Sequence, residues 1–506
     1  MVSGTEPEVS TSSAADEPGE NAPFVDNAHN SDNSERSPWA RKTVLAFDGG
    51  GIRGYSSLLI LQCLMTKIME EETKSDIYSS GDYPWMAAKT PPVVTPGENN
   101  LNAFLPCHYF DYITGTSTGG LSAIMLGRLR MSVTEALDQY RVFGNAIFGQ
   151  PRRWNEKSFP LWWPRAKYSS TKTRKVFQRI ILNKLGNAHF TDHDAEEESF
   201  ACRDDQTRTI VFSYSMNKTG VGMVYLWRTF DHKSDSGSNN PLPLHLNPSA
   251  AHNDAIWKVA RATSAAPTFF ESINIEGEKH FDGGIGANNP SWYALHEIQL
   301  KHSYAPELFL SIGCGIKPRT HQSQPNRRKF WGLSKNHSVD SGSRKQFLNK
   351  YLEIGRSGKN FMVNTEGPMG REGWEAKCRD IRVTYPYRLN VQENLTDIAL
   401  DDWRPSRTGE DTLTDIQTRT MAYLETREIQ GEIERMAKEL VRIRRQRAKT
   451  ERWESFSSDV YYTCSRCTLR FGTRDGFREH VEQNDKHADI TEKQRNKHLD
   501  EGRQFT

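Results

Sequence analysis

Several absences narrow the class of this 506-residue chain before any motif is read. It has no long apolar run: the longest, Leu58 to Leu64, is far short of the roughly 20 residues a membrane-spanning helix needs. It has no apolar leader core either. Residues 1–39 carry Ser, Glu, Asp, Asn and Pro without apolar periodicity, which predicts a disordered segment. Cysteine is sparse, seven residues scattered and odd in number, which argues against a disulfide framework and for a reducing compartment. Net charge is nearly absent, since 66 basic residues face 64 acidic ones for a balance of +2. Any attraction to nucleic acid or anionic lipid must therefore be local. The expectation is a cytoplasmic protein, not secreted, either soluble or lying against a membrane as a peripheral protein.

Three glycine-rich turns are present, each at a change of periodicity. In the first, the buried-strand run Thr43–Phe47 leads into Asp48-Gly49-Gly50-Gly51-Ile52-Arg53-Gly54, then into a helix with Leu58, Leu61, Met65 and Ile68 on one face. The spacing fits neither a dinucleotide fingerprint nor a Walker loop. An oxyanion hole is the physical alternative. The amides of Gly49, Gly50 and Gly51 would face charge growing on a carbonyl, with Arg53 adding positive potential.

In the second, the strand Phe110–Thr114 runs into Gly115-Thr116-Ser117-Thr118-Gly119, and Leu121, Ile124 and Met125 follow at helical spacing. Gly115 and Gly119 permit a tight elbow that exposes the Ser117 hydroxyl at a helix N-terminus, which is how a nucleophile is presented. In the third, Asp282 stands at a strand end before Gly283 and Gly284, so its carboxylate protrudes. An isolated Asp-Gly is most often a turn. In a chain that already offers a nucleophile and an anion hole, it becomes a candidate site residue. A triad is formally open through Ser117, Asp282 and His302, although His302 reads as the end of a surface helix and His280 as a packing neighbour.

Further strands are expected at Thr209–Tyr214, Met223–Trp227 and Leu308–Ile312, and a helix over Asp254–Ser264 that Pro267 stops. Residues 70–106 read as a surface insertion, and 317–345 as basic and mobile. Residues 151–165 mix tryptophan, arginine and proline, which suits an interfacial loop or one packed on its own domain. Cys314 reads as a small buried strand-end residue. Ile429, Ile433, Met436, Leu440 and Ile443 form a stripe on a long helix, suited to docking or a stalk. Beside them Arg442, Arg444, Arg445, Arg447 and Lys449 form a basic cluster, read as a solvated face or an anionic contact.

Cys464, Cys467, His480 and His487, with Phe471 and Phe477 between them, follow a ββα zinc-finger pattern and predict one structural zinc ion. Six residues separate the two histidines where three to five are usual, so the last ligand or the helix end is expected to be distorted. Thr473, Gly476 and Glu479 occupy the base-facing positions and argue against specific DNA reading. A structural or protein-contact finger is the preferred reading.

The three glycine turns, in this order, resemble the signatures of patatin-like acyl hydrolases over roughly residues 41–316. The resemblance implies a three-layer α/β/α fold with a mostly parallel central sheet. It also implies a Ser-Asp dyad, with Ser117 as nucleophile, Asp282 as base and the Gly49–Arg53 loop as oxyanion hole. Ester lipids are the implied substrates: phospholipids and lysophospholipids first, neutral acylglycerols as the alternative, with no metal needed for cleavage. A silent hydrolase serving as scaffold for the finger is the reading from another class. The domain plan is a disordered segment (1–39), the hydrolase (40–316), a polar connecting region partly packed on it (317–412), a helical segment (413–455), the finger (460–490) and a polar tail (491–506).

Overall fold

The computed structural model describes residues 24–25, 36–74, 101–152, 166–185, 191–203, 205–232, 247, 250–302, 304–316, 370–392, 394–450, 452–458, 460–467, 469–471, 474–484, 487 and 489–505. Most of the expected insertion, nearly all of the tryptophan–arginine loop and the 317–345 segment lie outside these residues. The chain divides into two compact units, one of residues 32–450 and one of residues 1–31 with 451–506.

Strands are numbered along the chain from β1, Phe24–Val25, in the second unit. The first unit holds an eight-stranded sheet: β2 (Thr43–Phe47), β3 (Tyr112–Thr116), β4 (Arg208–Met216), β5 (Gly222–Arg228), β6 (Ile273–Ile275), β7 (Glu278–Asp282), β8 (Leu308–Ile312) and β9 (Tyr385–Leu389). Its order is β6-β7-β4-β3-β2-β8-β9, with β5 also paired to β4. The run β4-β3-β2-β8-β9 is parallel, while β5 and β7 meet β4 antiparallel and β6 meets β7 antiparallel.

One register sets up the site. On a single edge of β4, Thr116 at the end of β3 pairs with Phe212, and Asp282 at the end of β7 pairs with the next residue, Ser213. Because β3 and β7 approach from opposite directions, their ends meet head to head.

Strand alternation divides the apolar residues between two faces. Leu45, Phe47, Ile113, Val211 and Leu310 join the larger core, and Val44, Ala46, Tyr112, Ile210 and Phe309 the smaller one. On the larger side lie α1 (Gly54–Thr73), α2 (Thr118–Ala123), α3 (Val133–Ile147), α4 (Ser170–Leu185) and, after the short α5 (Asp192–Glu197), α6 (Ile256–Thr263). On the smaller side, after the four-residue α7 (Gly284–Ala287), lie α8 (Ser291–Lys301) and the helix Gly370–Ile381. The result is the expected α/β/α layering. Leu58, Leu61, Leu64, Met65 and Ile68 of α1 are fully buried, each burial stabilising by about 1.5–3 kcal/mol. Helix α3 starts where sequence dictates: Ser132 and Glu135 form a reciprocal capping box.

The sheet continues past the expected hydrolase boundary at residue 316, because β9 pairs in parallel with β8. The helical region is two helices, Glu410–Leu424 and Arg427–Arg447, both packed on α1, and Gly431 lies within the second without breaking it. The basic cluster is divided: Arg442 and Lys449 are exposed, while Arg444, Arg445 and Arg447 turn inward to carboxylates. Arg447 is fully buried and pairs with Asp111 at 2.8 Å, while Arg444 and Arg445 both reach the buried carboxylate of Glu72. Trp39, expected in the disordered segment, is buried and donates to Thr450 Oγ1 at 2.9 Å.

In the second unit, β10 (Val460–Thr463) and β11 (Arg470–Phe471) form a hairpin followed by the helix Arg474–Gln483. β1 pairs in parallel with β11. The expected polar tail is structured: helix Glu492–Glu501 contributes Leu499 to the small core, and β12 (Arg503–Phe505) pairs with β10.

Candidate active site

Ser117 links β3 to α2 with φ 56° and ψ −127°, a backbone conformation that costs a non-glycine residue on the order of 1–3 kcal/mol. The flanking glycines make the turn sterically possible. A Cβ on Gly115 would stand 2.0 Å from the Gly119 carbonyl oxygen, and one on Gly119 would stand 2.5 Å from the Asp48 carbonyl oxygen. A relay fixes the strained residue: Ser117 N–H donates to Thr263 Oγ1 at 2.9 Å, and Thr263 donates to the Phe212 carbonyl at 2.6 Å.

Ser117 Oγ donates to Asp282 Oδ2 at 2.6 Å, the contact that the β4 register prepares. Asp282 Oδ1 accepts the Gly284 N–H at 2.7 Å. Burial raises the Asp282 pKa, and the two hydrogen bonds only partly offset it, leaving it at about 7. A carboxyl tuned there is able to accept a proton near neutrality.

The glycine loop lies across from this pair, with Gly50 and Gly51 lining the same cleft as Ser117 and Asp282. Gly51 adopts φ 57°, and a Cβ on it would meet the Leu400 carbonyl oxygen at 2.1 Å. The Gly49 amide is committed elsewhere, donating to the Asn288 carbonyl at 2.9 Å. Arg53 is buried and does not line the cleft; its Nε donates to the Gly50 carbonyl, so it supports the loop from behind.

The histidines are elsewhere. His302 Nε2 lies 2.7 Å from the hydroxyl of Tyr112, the first residue of β3, at the opposite end of that strand from Ser117. His280 is buried against Tyr225 and Trp227 with Nδ1 3.1 Å from Ser213 Oγ, and burial pushes its pKa down to about 4. This geometry removes the Ser117–Asp282–His302 triad. Cys314 is a fully buried thiol after β8, as expected, and burial raises its pKa to about 11.

Phe143, Phe148, Phe269, Phe270 and Leu400 give the cleft its apolar wall, and Thr118, Ser264, Asn288 and Asp401 add polar groups to it. Phe143 also borders a second cavity, lined by Leu121, Ile124, Met125, Ile181 and Ala260 among others, which exposes no polar surface. Sequence reasoning missed Leu400, Asp401 and Asn288 in the cleft wall. Asp401 accepts from Lys167 and from the Tyr168 hydroxyl, the latter at 3.2 Å. Nothing local marks Leu400 and Asp401, which lie far along the chain from the motifs. Asn288 carried a signal, since it lies six positions after Asp282 within the third glycine-rich stretch.

In the second unit, one donor atom from each of Cys464, Cys467, His480 and His487 lies within 4.8 Å of the others. His487 Nε2 is 3.5 Å from Cys464 Sγ, 3.4 Å from Cys467 Sγ and 3.2 Å from His480 Nε2. A tetrahedral zinc ion with bonds of about 2.3 Å to sulfur and 2.0 Å to nitrogen separates its ligands by roughly 3.3–3.8 Å, so the donor set fits. The long histidine spacing is absorbed because His487 lies beyond the end of its helix, on a turn in which its N–H donates to Asn484. His498, outside the expected set, has Nε2 3.8 Å from Cys464 Sγ.

A serine elbow at the end of a central parallel strand, facing a carboxylate and a glycine loop in an α/β/α sandwich, is the arrangement of a serine hydrolase. Residues 45–295 match the family described as patatin-like phospholipase, and the chain carries a domain of that family. It is 25% identical over 422 residues to calcium-independent phospholipase A2-gamma of Rattus norvegicus, covering 83% of this chain and 42% of that protein. It is 24% identical over 315 residues to phospholipase A I of Arabidopsis thaliana, covering 54% of this chain and 21% of that protein. It is 27% identical over 264 residues to the cGAMP-activated phospholipase of Vibrio cholerae, covering 50% of this chain and 57% of that protein. The chain thus spans under half the length of the mammalian relatives it matches.

Proposed function

We propose that this protein is a serine lipid acyl hydrolase that cleaves fatty-acyl esters of phospholipids or lysophospholipids through Ser117 and Asp282. The hydrogen bond from Ser117 to a carboxyl with a pKa near 7 carries this reading. Ser117 Oγ attacks the ester carbonyl carbon while its proton passes to Asp282. The Gly50 and Gly51 amides receive the oxyanion. As the tetrahedral intermediate collapses, the carbon–oxygen bond to the alcohol breaks and Asp282 returns the proton to the departing oxygen. Water, deprotonated by Asp282, then attacks the acyl-enzyme carbonyl carbon; as the bond to Ser117 Oγ breaks, Asp282 returns the proton to Oγ and the fatty acid leaves. Nucleophile, base and anion donors all come from the chain, so ester cleavage proceeds without a metal.

The aromatic cleft suits an acyl chain, and the names of the relatives favour a phospholipid over a neutral acylglycerol. No helix among the described residues is long and apolar enough to cross a membrane. The reading as a phospholipid hydrolase, drawn from the names of the relatives, has the substrate met at a membrane surface by peripheral contact. In the second unit, Cys464, Cys467, His480 and His487 would hold a structural zinc ion, which would tie the hairpin to its helix. The deciding experiment is release of fatty acid from a mixed phospholipid and triacylglycerol panel, read by mass spectrometry, with wild type against Ser117→Ala. Equal release from the two proteins would leave the chain a scaffold, and release from triacylglycerol alone would make it a neutral lipase.

A further inference from the structure

Asn288 is a buried amide in the cleft with no hydrogen-bond partner among the described residues. It is 7% exposed, it lines the cleft with Ser117 and Asp282, and neither Oδ1 nor Nδ2 has a hydrogen-bond partner among the described residues. Buried carboxamides are nearly always satisfied, because desolvating one without a partner costs stability. A conformation that keeps such a group in a cleft points to a partner that arrives with the substrate.

The backbone around Asn288 is tied to both halves of the site. The short helix α7 turns the chain back after Asp282. There the Ala287 carbonyl accepts Thr116 Oγ1 at 2.6 Å, and the Asn288 carbonyl accepts the Gly49 N–H at 2.9 Å. Asn288 is thereby fixed to the residue before the nucleophile and to the first glycine of the anion loop. Its side chain is close to Gly49, on the side that faces Ser117. The point where a Cβ on Gly49 would stand is 2.4 Å from Asn288 Oδ1 and 3.1 Å from Ser117 Cβ. With Oδ1 turned to Gly49, Nδ2 is the donor left for a ligand.

We propose that the Asn288 carboxamide donates from Nδ2 to the ester oxygen on which negative charge builds, as a side-chain donor beside the Gly50 and Gly51 amides. A neutral donor suits this place, since a second carboxylate would repel both Asp282 and the oxyanion. The role rests on the acyl-hydrolase reading and makes Asn288 a catalytic residue in the step Ser117 begins.

The test uses the full chain with a soluble monomeric ester and a long-chain trifluoromethyl ketone, which adds reversibly to the serine as a tetrahedral mimic. In Asn288→Leu, close in shape but without a donor, kcat is expected to fall roughly 10²–10³-fold with KM unchanged. The affinity for the ketone should fall in the same proportion, and the thermal midpoint should not drop, because two unpaired polar atoms leave the interior. Asn288→Ala serves as a second variant should leucine misfit. Wild-type ketone affinity in a folded variant overturns the proposal. If Ser117→Ala is inactive while both Asn288 variants turn over normally, only this inference fails. If Ser117→Ala retains turnover, the acyl-hydrolase reading fails with it.

Discussion

Arg388 holds Asp48 through both arms of its guanidinium, Nη2 to Oδ2 at 2.6 Å and Nη1 to Oδ1 at 3.0 Å, with both side chains buried. Asp48 opens the glycine loop and Arg388 belongs to β9, so the pair spans β8 and joins residues 340 positions apart. Ser311 on the intervening strand accepts from the same Nη1 at 2.8 Å.

Removing one partner should be expensive, because the other charge is left buried. Arg388→Gln is expected to lower stability by about 3–5 kcal/mol. Urea unfolding of the full chain measures it. A loss below about 1 kcal/mol would mean that water or another cation replaces the guanidinium. Pairing Arg388→Gln with Asp48→Asn should recover part of the loss, since the orphaned charge then disappears.

Asp282 predicts the pH dependence. Because its pKa is about 7 in the folded chain against an ordinary 3.8, kcat/KM should rise as pH increases through about 7 and then level off. The stability sign is opposite. Folding favours the protonated carboxyl, so this group's contribution is complete below about 3.8 and is lost as pH rises to about 7. Asp282→Asn should therefore lose about 10²–10⁴-fold in turnover while unfolding no more easily at alkaline pH. A rate profile flat across neutrality would rule Asp282 out as the base.

The apolar cavity behind Phe143 predicts chain selectivity. If the acyl chain passes Phe143 into that space, Met125→Trp should fill it and depress kcat/KM for palmitoyl esters while sparing butyryl esters. Each methylene kept from apolar burial costs about 0.8 kcal/mol, so even a few blocked carbons shift the ratio by more than tenfold. An unchanged ratio across an ester series would place the chain elsewhere.

The cysteine–histidine cluster predicts a division of labour under chelation. Stripping metal with phenanthroline, or substituting Cys464→Ser, should unfold the second unit, for which metal binding contributes on the order of 10–16 kcal/mol. Hydrolysis of a soluble ester by residues 32–450 should persist. Cobalt substitution gives an independent reading: thiolate-to-cobalt absorption is expected in the wild type and lost in the variant.

The residues legible in the sequence concentrate their chemistry locally. Ser117 and Asp282 each sit in a glycine-rich turn at the end of a strand, so a few consecutive letters carry the geometry on which the proposed roles rest. The stripe Ile429 to Ile443 was readable for the same reason, since helical period is a local property. Arg388, Leu400 and Asp401 were not, because their importance comes from pairing across hundreds of residues. The strand holding Arg388, Tyr385-Pro386-Tyr387-Arg388-Leu389, sets Tyr385, Tyr387 and Leu389 on one face, but a proline interrupts it and the run is only five residues long. The arginines of the helix Arg427–Arg447 were legible only as a choice between a solvated face and an anionic contact, because the run itself does not show the buried Glu72 and Asp111 opposite it.

The Ile52 amide donates to the Leu400 carbonyl at 2.8 Å, so the wall of the cleft closes on the glycine loop from the far end of the unit. On the ribosome this sets an order of events. All three glycine motifs have emerged by Gly284, yet the loop has no Arg388 to anchor it and no Leu400 to close against until more than a hundred further residues are made. A nascent chain halted between these points carries every signature of the enzyme and no finished cleft. The cleft that Gly50, Gly51 and Leu400 share is thus complete only after synthesis has passed residue 401.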